Sequence, residues 1–193
     1  MKIGVLALQG DFREHLEMLQ LIGVEGVPVR TLDELRQVDA LIIPGGESTT
    51  VGKLLARYDL DKAIAGRVHE EGFPIYGTCT GMILMAKHIV GSDQPRLGLM
   101  DLTVERNAFG RQIDSFEAAI EVPAIGEPPI QGVFIRAPIA KALGQGVEVL
   151  GTFEDKIVFV RQGSLLASAF HPELTEDDRV HRYFLDIVQK FHP

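Results

Sequence analysis

Apolar residues along the chain fall into two patterns. Ile3 to Leu8, Asp39 to Pro44 and Pro74 to Gly77 are short, nearly continuous runs bounded by Gly, Pro or Asp. Such runs predict buried strands. Between them the apolar positions recur every three to four residues. Asp11 to Ile22 places Leu16, Leu19 and Ile22 on one helical face, and Thr49 to Tyr58, Leu60 to Glu71 and Thr80 to Val90 also read as helices. Thr31-Leu-Asp-Glu34 has the form of a capping box, with Thr at the N-cap and Glu three residues later. This strand–helix alternation predicts a parallel sheet covered on both faces.

The pattern changes after about Gly98. Leu99 to Glu105, Phe116 to Val122, Gln131 to Ile135, Val147 to Phe153, Lys156 to Arg161 and Leu165 to Phe170 read as strands, some joined by hairpins. Thr175 to Phe191 closes the chain as an amphipathic helix with Val180, Phe184, Ile187 and Val188 inward. Pro123 to Pro129 is a loop, because strand patterns resume on both sides of it. The expectation is an α/β fold in a single domain, residues 1–193. It has three layers, a mostly parallel central sheet and added antiparallel strands.

The chain has 193 residues, enough for one substantial core and short for two. Its net charge of -8 argues against general affinity for nucleic acid or anionic membrane surfaces. No apolar run approaches the roughly 18–20 residues needed to span a bilayer, and the first residues lack the form of a signal peptide. The single cysteine permits no intrachain disulfide. A reducing, cytoplasmic setting is expected, in which a lone thiol is a candidate nucleophile.

That cysteine lies in Tyr76-Gly77-Thr78-Cys79-Thr80-Gly81, between a strand pattern and a helix pattern. This is the arrangement of a nucleophile elbow, with Cys in place of Ser. A sharp strand-to-helix turn needs small neighbours, which Gly77 and Gly81 supply. The turn lifts Cys79 to a helix N-terminus, where the dipole favours a thiolate. It also aims the Thr80 backbone N–H at an oxyanion on the attacked carbon. The plain alternative is a structural cysteine packed at a β–α turn.

A candidate base follows the last strand pattern in Phe170-His171-Pro172-Glu173. Pro172 disfavours a helical His171. In extended chain, residues two apart face the same side, so Glu173 is expected beside His171, orienting its imidazole. The alternative is a strand-end histidine with a solvated glutamate. Of the other histidines, His15, His69, His88 and His181 fall in helical patterns and His192 in the tail, without such an arrangement.

Cys79 with His171-Pro-Glu173 resembles the class-I (triad) glutamine amidotransferases. Five further segments resemble the glutaminase subunits of two-protein pyridoxal 5′-phosphate synthases: Leu6 to Gly10, Pro44 to Thr50, Val104 to Gln112, Gly132 to Ala137 and Phe170 to Asp177. One departure is Thr80, where that family more often has Ala. The resemblance implies a Cys79–His171–Glu173 triad and an oxyanion hole of the Thr80 and Gly46 N–H groups. It also implies a glutamine pocket lined by Gly46, Glu47 and Ser48, with Arg106 and the Ile135-Arg136 pair at the amino-acid end. An α-carboxylate suits an arginine or backbone N–H groups. Surface salt bridges and an ordinary turn are the plain readings of those residues.

The implied chemistry is attack of the Cys79 thiolate on the glutamine side-chain amide, release of ammonia, and hydrolysis of a glutamyl thioester, with no metal or organic cofactor. The ammonia would pass to a synthase subunit that also activates the glutaminase. Pro44-Gly-Gly-Glu47 lacks the lysine and spacing of a phosphate-binding loop, so no nucleotide site is expected. Met82 and Met85 read as core packing. Two other functions stay open on the sequence: a stand-alone cysteine hydrolase of γ-glutamyl or peptide bonds, and a catalytically silent regulatory subunit.

Overall fold

The computed structural model describes residues 1–110 and 114–191. Arg111 and Gln112, at the end of the Val104 to Gln112 segment, and His192 lie outside the described residues. In chain order the strands are β1 (Lys2–Leu6), β2 (Glu25–Val29), β3 (Ala40–Ile43), β4 (Ile75–Thr78), β5 (Ala86–Ile89) and β6 (Met100–Glu105), then β7 (Ser115–Ile120), β8 (Ile130–Ile135), β9 (Ile139–Leu143), β10 (Glu148–Phe153), β11 (Lys156–Gln162) and β12 (Leu165–Ser168). The helices are α1 (Phe12–Leu21), α2 (Leu32–Leu35), α3 (Ser48–Arg57), α4 (Leu60–Glu71), α5 (Thr80–Met85) and α6 (Arg179–Phe191).

One sheet runs in the order β2-β1-β3-β4-β12-β11-β9-β6-β5, with β10 paired to β11. The pairs from β2 to β12 are parallel; β12–β11, β11–β9 and β9–β6 are antiparallel; β6–β5 is parallel again. β7 and β8 form a separate antiparallel ribbon. Every residue of β3, β4 and β12 is buried, as parallel strands covered on both faces require. Two β–α connections, after β1 and after β4, open at the same edge of this sheet. Ligand crevices in open α/β sheets form at such edges.

Local chemistry explains the elements. At α2 the Thr31 hydroxyl accepts from the Glu34 N–H, and the Glu34 carboxylate accepts from the Thr31 N–H at 3.0 Å, so the expected capping box is formed. α6 buries Val180, Phe184, Leu185, Ile187 and Val188. Burying each such side chain contributes roughly 1.5–3 kcal/mol, and truncating Phe184 to Ala would cost about 3–5 kcal/mol. Among the described residues no helix is long and apolar enough to cross a membrane.

Three elements differ from the sequence expectation. The helix expected over Thr80 to Val90 stops at Met85, and Ala86–Ile89 becomes β5, paired in parallel with β6. Pairing with a neighbour strand outweighs the local helical periodicity there. β2 is an added strand whose sequence, Glu-Gly-Val-Pro-Val, contains Pro28. A proline is tolerated because β2 lies at the sheet edge. β9 is also added; Ile-Ala-Lys-Ala-Leu has helix-forming composition, yet it bridges β6 and β11. The last helix starts at Arg179, after a 3-10 turn over Pro172–Leu174.

Candidate active site

β4 ends at Thr78, and Cys79 turns the chain straight into α5. Cys79 has φ 48° and ψ -96°, a backbone that side chains with a Cβ rarely adopt. Its N–H donates to the Ser168 carbonyl at 2.8 Å, and its carbonyl accepts from Ile83 at 3.2 Å. The turn is as tight as its glycines imply. A Cβ on Gly77 would sit 2.6 Å from the Gly81 carbonyl carbon, and one on Gly81 would collide with the Ile43 carbonyl oxygen.

His171 arrives from the end of β12, the strand beside β4, and its N–H donates to the Val133 carbonyl at 2.8 Å. With φ -109° and ψ 88° it is outside the helical region, as Pro172 requires. Its Nδ1 lies 2.8 Å from Glu173 Oε1, and both side chains are buried. The expected pair forms, but by a different route. Glu173 reaches the ring because the 3-10 turn swings it back, not because the chain stays extended.

Electrostatics follow from this packing. Burial opposes a charged His171 ring, but hydrogen bonding and charge from Cys79 and Glu173 outweigh it and lift the ring to about 10. Burial also opposes a charged Glu173, but His15 and His171 hold it well below the usual carboxylate range. These contacts favour a protonated imidazole beside the carboxylate. Among the described residues Nε2 of His171 is buried without a hydrogen-bond partner, and Cys79 Sγ is directed to the Ile135 carbonyl at 3.8 Å. The Cys79 sulfur is close enough for its negative form to favour the charged ring, yet it is not aligned on Nε2, as is common in free enzymes.

Cys79 and His171 border a cavity of about 450 Å³. All the other residues expected around the substrate line it too: Gly46, Glu47, Ser48, Thr80, Arg106, Ile135 and Arg136. Glu47 is the N-cap of α3; its carboxylate accepts from Thr49 N–H, Thr50 N–H and the Thr50 hydroxyl at 2.7–3.1 Å. Those bonds, the Thr50 hydroxyl first, lower its pKa despite the opposing effect of burial. Arg106 donates to Gln94 Oε1 at 2.8 Å, which the Ser48 hydroxyl also reaches at 3.4 Å. Arg136 has φ 43° and its N–H donates to the Asp114 carbonyl at 2.7 Å.

The loop holding Gly46 is gripped from two sides. Thr80 Oγ1 donates to the Gly46 carbonyl at 2.6 Å, and Glu47 N–H donates to Gln9 Oε1 at 2.7 Å. Gln9 also lines the cavity, so the loop after β1 and the elbow after β4 do share one sheet edge.

Several further residues border the site that no sequence motif marks. Asp11 Oδ2 is 3.9 Å from His171 Nδ1, and burial raises the Asp11 pKa against the lowering effect of His171. Asn107, with φ 51°, and Ile83 line the cavity. His15, set aside as one of several helical histidines, is fully buried with Nε2 3.4 Å from Glu173 Oε1. The position of Asp11 just after Gln9-Gly10 was a usable signal; nothing local marked His15. Asp11, His171 and Glu173 also have metal-like spacing, but Nδ1 of His171 and Oε1 of Glu173 are already bonded to one another.

A thiol, a charged imidazole and a buried carboxylate at the mouth of a polar cavity can carry out acyl transfer. Residues 5–190 match the SNO glutamine amidotransferase family. The chain belongs to that family. Among its relatives, the "Pyridoxal 5′-phosphate synthase subunit PdxT" of Moorella thermoacetica is 56% identical over 97% of this chain and 100% of its own length. The protein of the same name from Pelotomaculum thermopropionicum is 58% identical over 96% of this chain and 94% of its own. A solved structure described as a glutamine amidotransferase superposes with TM-score 0.93 at 55% identity, covering 97% of this chain and 98% of that one. The SNO-family fold thus accounts for the mostly parallel sheet with its antiparallel extension.

Proposed function

We propose that this chain hydrolyses L-glutamine to L-glutamate and ammonia and delivers the ammonia to a pyridoxal 5′-phosphate synthase subunit. Membership of a glutamine amidotransferase family and relatives named as subunits of that synthase support the reading. The observation that carries the chemistry is the elbow cysteine beside a buried, hydrogen-bonded His171–Glu173 pair at a cavity lined by two arginines.

In this reaction the Cys79 thiolate attacks the side-chain amide carbon of glutamine. Backbone N–H groups of Thr80 and Gly46 receive the oxyanion. His171 gives its proton to the departing nitrogen, which leaves as ammonia, and the glutamyl group stays on sulfur as a thioester. A water molecule then loses a proton to His171 and attacks the thioester. Glutamate leaves and the thiolate–imidazolium pair is restored. Glu173 keeps Nδ1 protonated and the ring in place. Arg106 and Arg136 hold the amino-acid end of glutamine, while Glu47 and Ser48 shape the rim.

Ammonia in water near neutral pH is mostly ammonium, which has no lone pair to react, so delivery to a docked synthase is chemically useful. The unpaired thiol suits the reducing cytoplasm. The test is ammonia release from glutamine by the chain alone and with the synthase subunit. Absence of glutamine hydrolysis in both would overturn the function; full activity without the partner would overturn the coupling.

A further inference from the structure

Behind the triad lies a row of buried polar groups that the reaction above does not use. His15 of α1 and His181 of α6 are both fully buried. His15 Nδ1 is 3.0 Å from His181 Nε2, while His15 Nε2 is 3.2 Å from Thr78 Oγ1 and 3.4 Å from Glu173 Oε1. Two imidazoles placed in a core need a reason, because each brings polar nitrogens out of water.

The proton positions follow from the contacts. A bare lone pair on His15 Nε2 would face the Glu173 carboxylate, so Nε2 carries hydrogen. Between His15 Nδ1 and His181 Nε2 one nitrogen must donate. Among the described residues His181 Nδ1 is buried without a partner. An unused lone pair there is tolerated better than an unused N–H, so the hydrogen of His181 is on Nε2. His181 is then neutral. Burial, with His15 adding to it, lowers its pKa to about 3. Donation runs one way: His181 to His15, then His15 Nε2–H to the Thr78 hydroxyl, with Glu173 Oε1 beside the same nitrogen at 3.4 Å.

We propose that His15 is a positioning residue of the triad: its Nε2–H, bonded to Thr78, turns its positive end to Glu173 from behind and steadies the carboxylate on His171, while His181 fixes the tautomer of His15. The proposal deepens the glutaminase reading and rests on it for its kinetic test. Glu173 needs such a second support. It is buried, and its Oε2 has no partner among the described residues. Oε1 alone meets His171 at 2.8 Å and His15 at 3.4 Å, from opposite elements of the fold.

Other groups around the carboxylate do not supply that support. Asp11, on the loop before α1, repels it. The Tyr76 phenol of β4 is engaged with Ser168 Oγ at 2.9 Å. β8, which packs on the 3-10 turn, has no titratable side chain. Cys79 acts on Glu173 only through His171. His15 itself is faced by His181, Thr78 and the edge of the Tyr76 ring, whose centroid is 6.4 Å away.

Two measurements test this. In the complex with the synthase subunit, His15→Leu removes the N–H and keeps bulk, whereas His15→Gln can place an amide N–H near the Nε2 position. His15→Leu is expected to lower kcat by roughly tenfold to a hundredfold, by analogy with the loss of an outer partner of a metal-ligating histidine, with KM for glutamine unchanged. The acid limb of its pH profile is expected to move to higher pH, since Glu173 then protonates more easily. His15→Gln is expected to recover most of the rate and the limb. Wild-type kcat and an unmoved limb in His15→Leu, or equal loss in both variants with unmoved limbs, would make His15 a packing residue. Nitrogen-15 NMR of the unmodified chain gives a readout independent of folding defects and of glutaminase activity. Nε2-protonated His15 and His181 are expected; an Nδ1-protonated, Nε2-bare His15 would overturn the proposal even if glutamine hydrolysis holds. If the wild type instead proves inactive on glutamine, the function falls and the NMR result still decides the role of His15.

Discussion

The hydroxyl of Thr80 donates to the carbonyl of Gly46 at 2.6 Å, tying the residue after Cys79 to the loop that faces it. Alanine at this position would keep the Thr80 backbone N–H and lose only this tie. Thr80→Ala is therefore expected to cost about 1 kcal/mol of stability in urea denaturation while the complex keeps its glutaminase rate within about tenfold, the donor being backbone. Gln9→Ala removes the hold on the other side, at Glu47 N–H. It is expected to lower the ratio of complex to free-chain activity, because the unbound loop is then less restrained. An unchanged ratio would leave Gln9 as an ordinary loop residue.

The elbow sets function against stability. Cys79 has φ 48° in a chain turn where only glycine is unstrained. Cys79→Ala and Cys79→Gly should both abolish ammonia release. Cys79→Gly should unfold at the higher temperature of the two, by an amount corresponding to roughly 1 kcal/mol. Turnover by either variant would remove Cys79 from the mechanism, and equal melting temperatures would show the turn to be relaxed.

Stability should pass through a maximum between the acid and alkaline sides of neutrality. His171 is raised from 6.5 to about 10, so its contribution is full below about 6.5 and is lost as pH rises toward 10. His181 is lowered from 6.5 to about 3, so the unfolded chain takes up its proton first and stability falls as pH drops from 6.5 toward 3. Glu173 is depressed, so its contribution is present above the ordinary carboxylate range and is lost only in stronger acid. Urea titrations at pH 5, 7 and 10 check the signs. For His171→Gln, the deficit relative to wild type should shrink between pH 7 and pH 10; a constant deficit would mean that His171 is not held protonated.

Recognition of the amino-acid end is assigned to Arg106 and Arg136. Losing one charge-assisted contact costs roughly 1.5–3 kcal/mol, or about tenfold to a hundredfold in apparent affinity. Arg106→Ala and Arg136→Ala, measured with saturating synthase subunit, should raise KM for glutamine by that factor. Arg106 also holds Gln94, so its variant is expected to show the larger effect on kcat. An unchanged KM in both would reduce the two arginines to structural contacts.

What could be read in the sequence was what chemistry makes local. Gly77 and Gly81 flank Cys79 because the elbow leaves no room for a Cβ, and Pro172 beside His171 restricts its backbone, so both signals lie within a few residues of the group they serve. Thr31 and Glu34 satisfy one another three residues apart. The rest depends on distant parts of the chain. β5 is a strand because β6 is beside it, β2 tolerates Pro28 because no further strand lies beyond it, and β9 gains its conformation from two neighbours. His15 and His181 are 166 positions apart, and helical periodicity makes each look like an ordinary inward-facing residue. Only the approach of α1 to α6 in the folded chain joins them to Glu173.

The Gly46 carbonyl and the Glu47 N–H are two ends of one peptide unit, one held by Thr80 and the other by Gln9. That unit is a planar plate with no internal soft rotation. The two bonds therefore cannot be remade separately: turning the carbonyl from Thr80 also carries the N–H off Gln9. The strand-one loop and the nucleophile loop are in this sense two hands on a single rigid lever, and a push on either reaches the other without any side chain between them having to move.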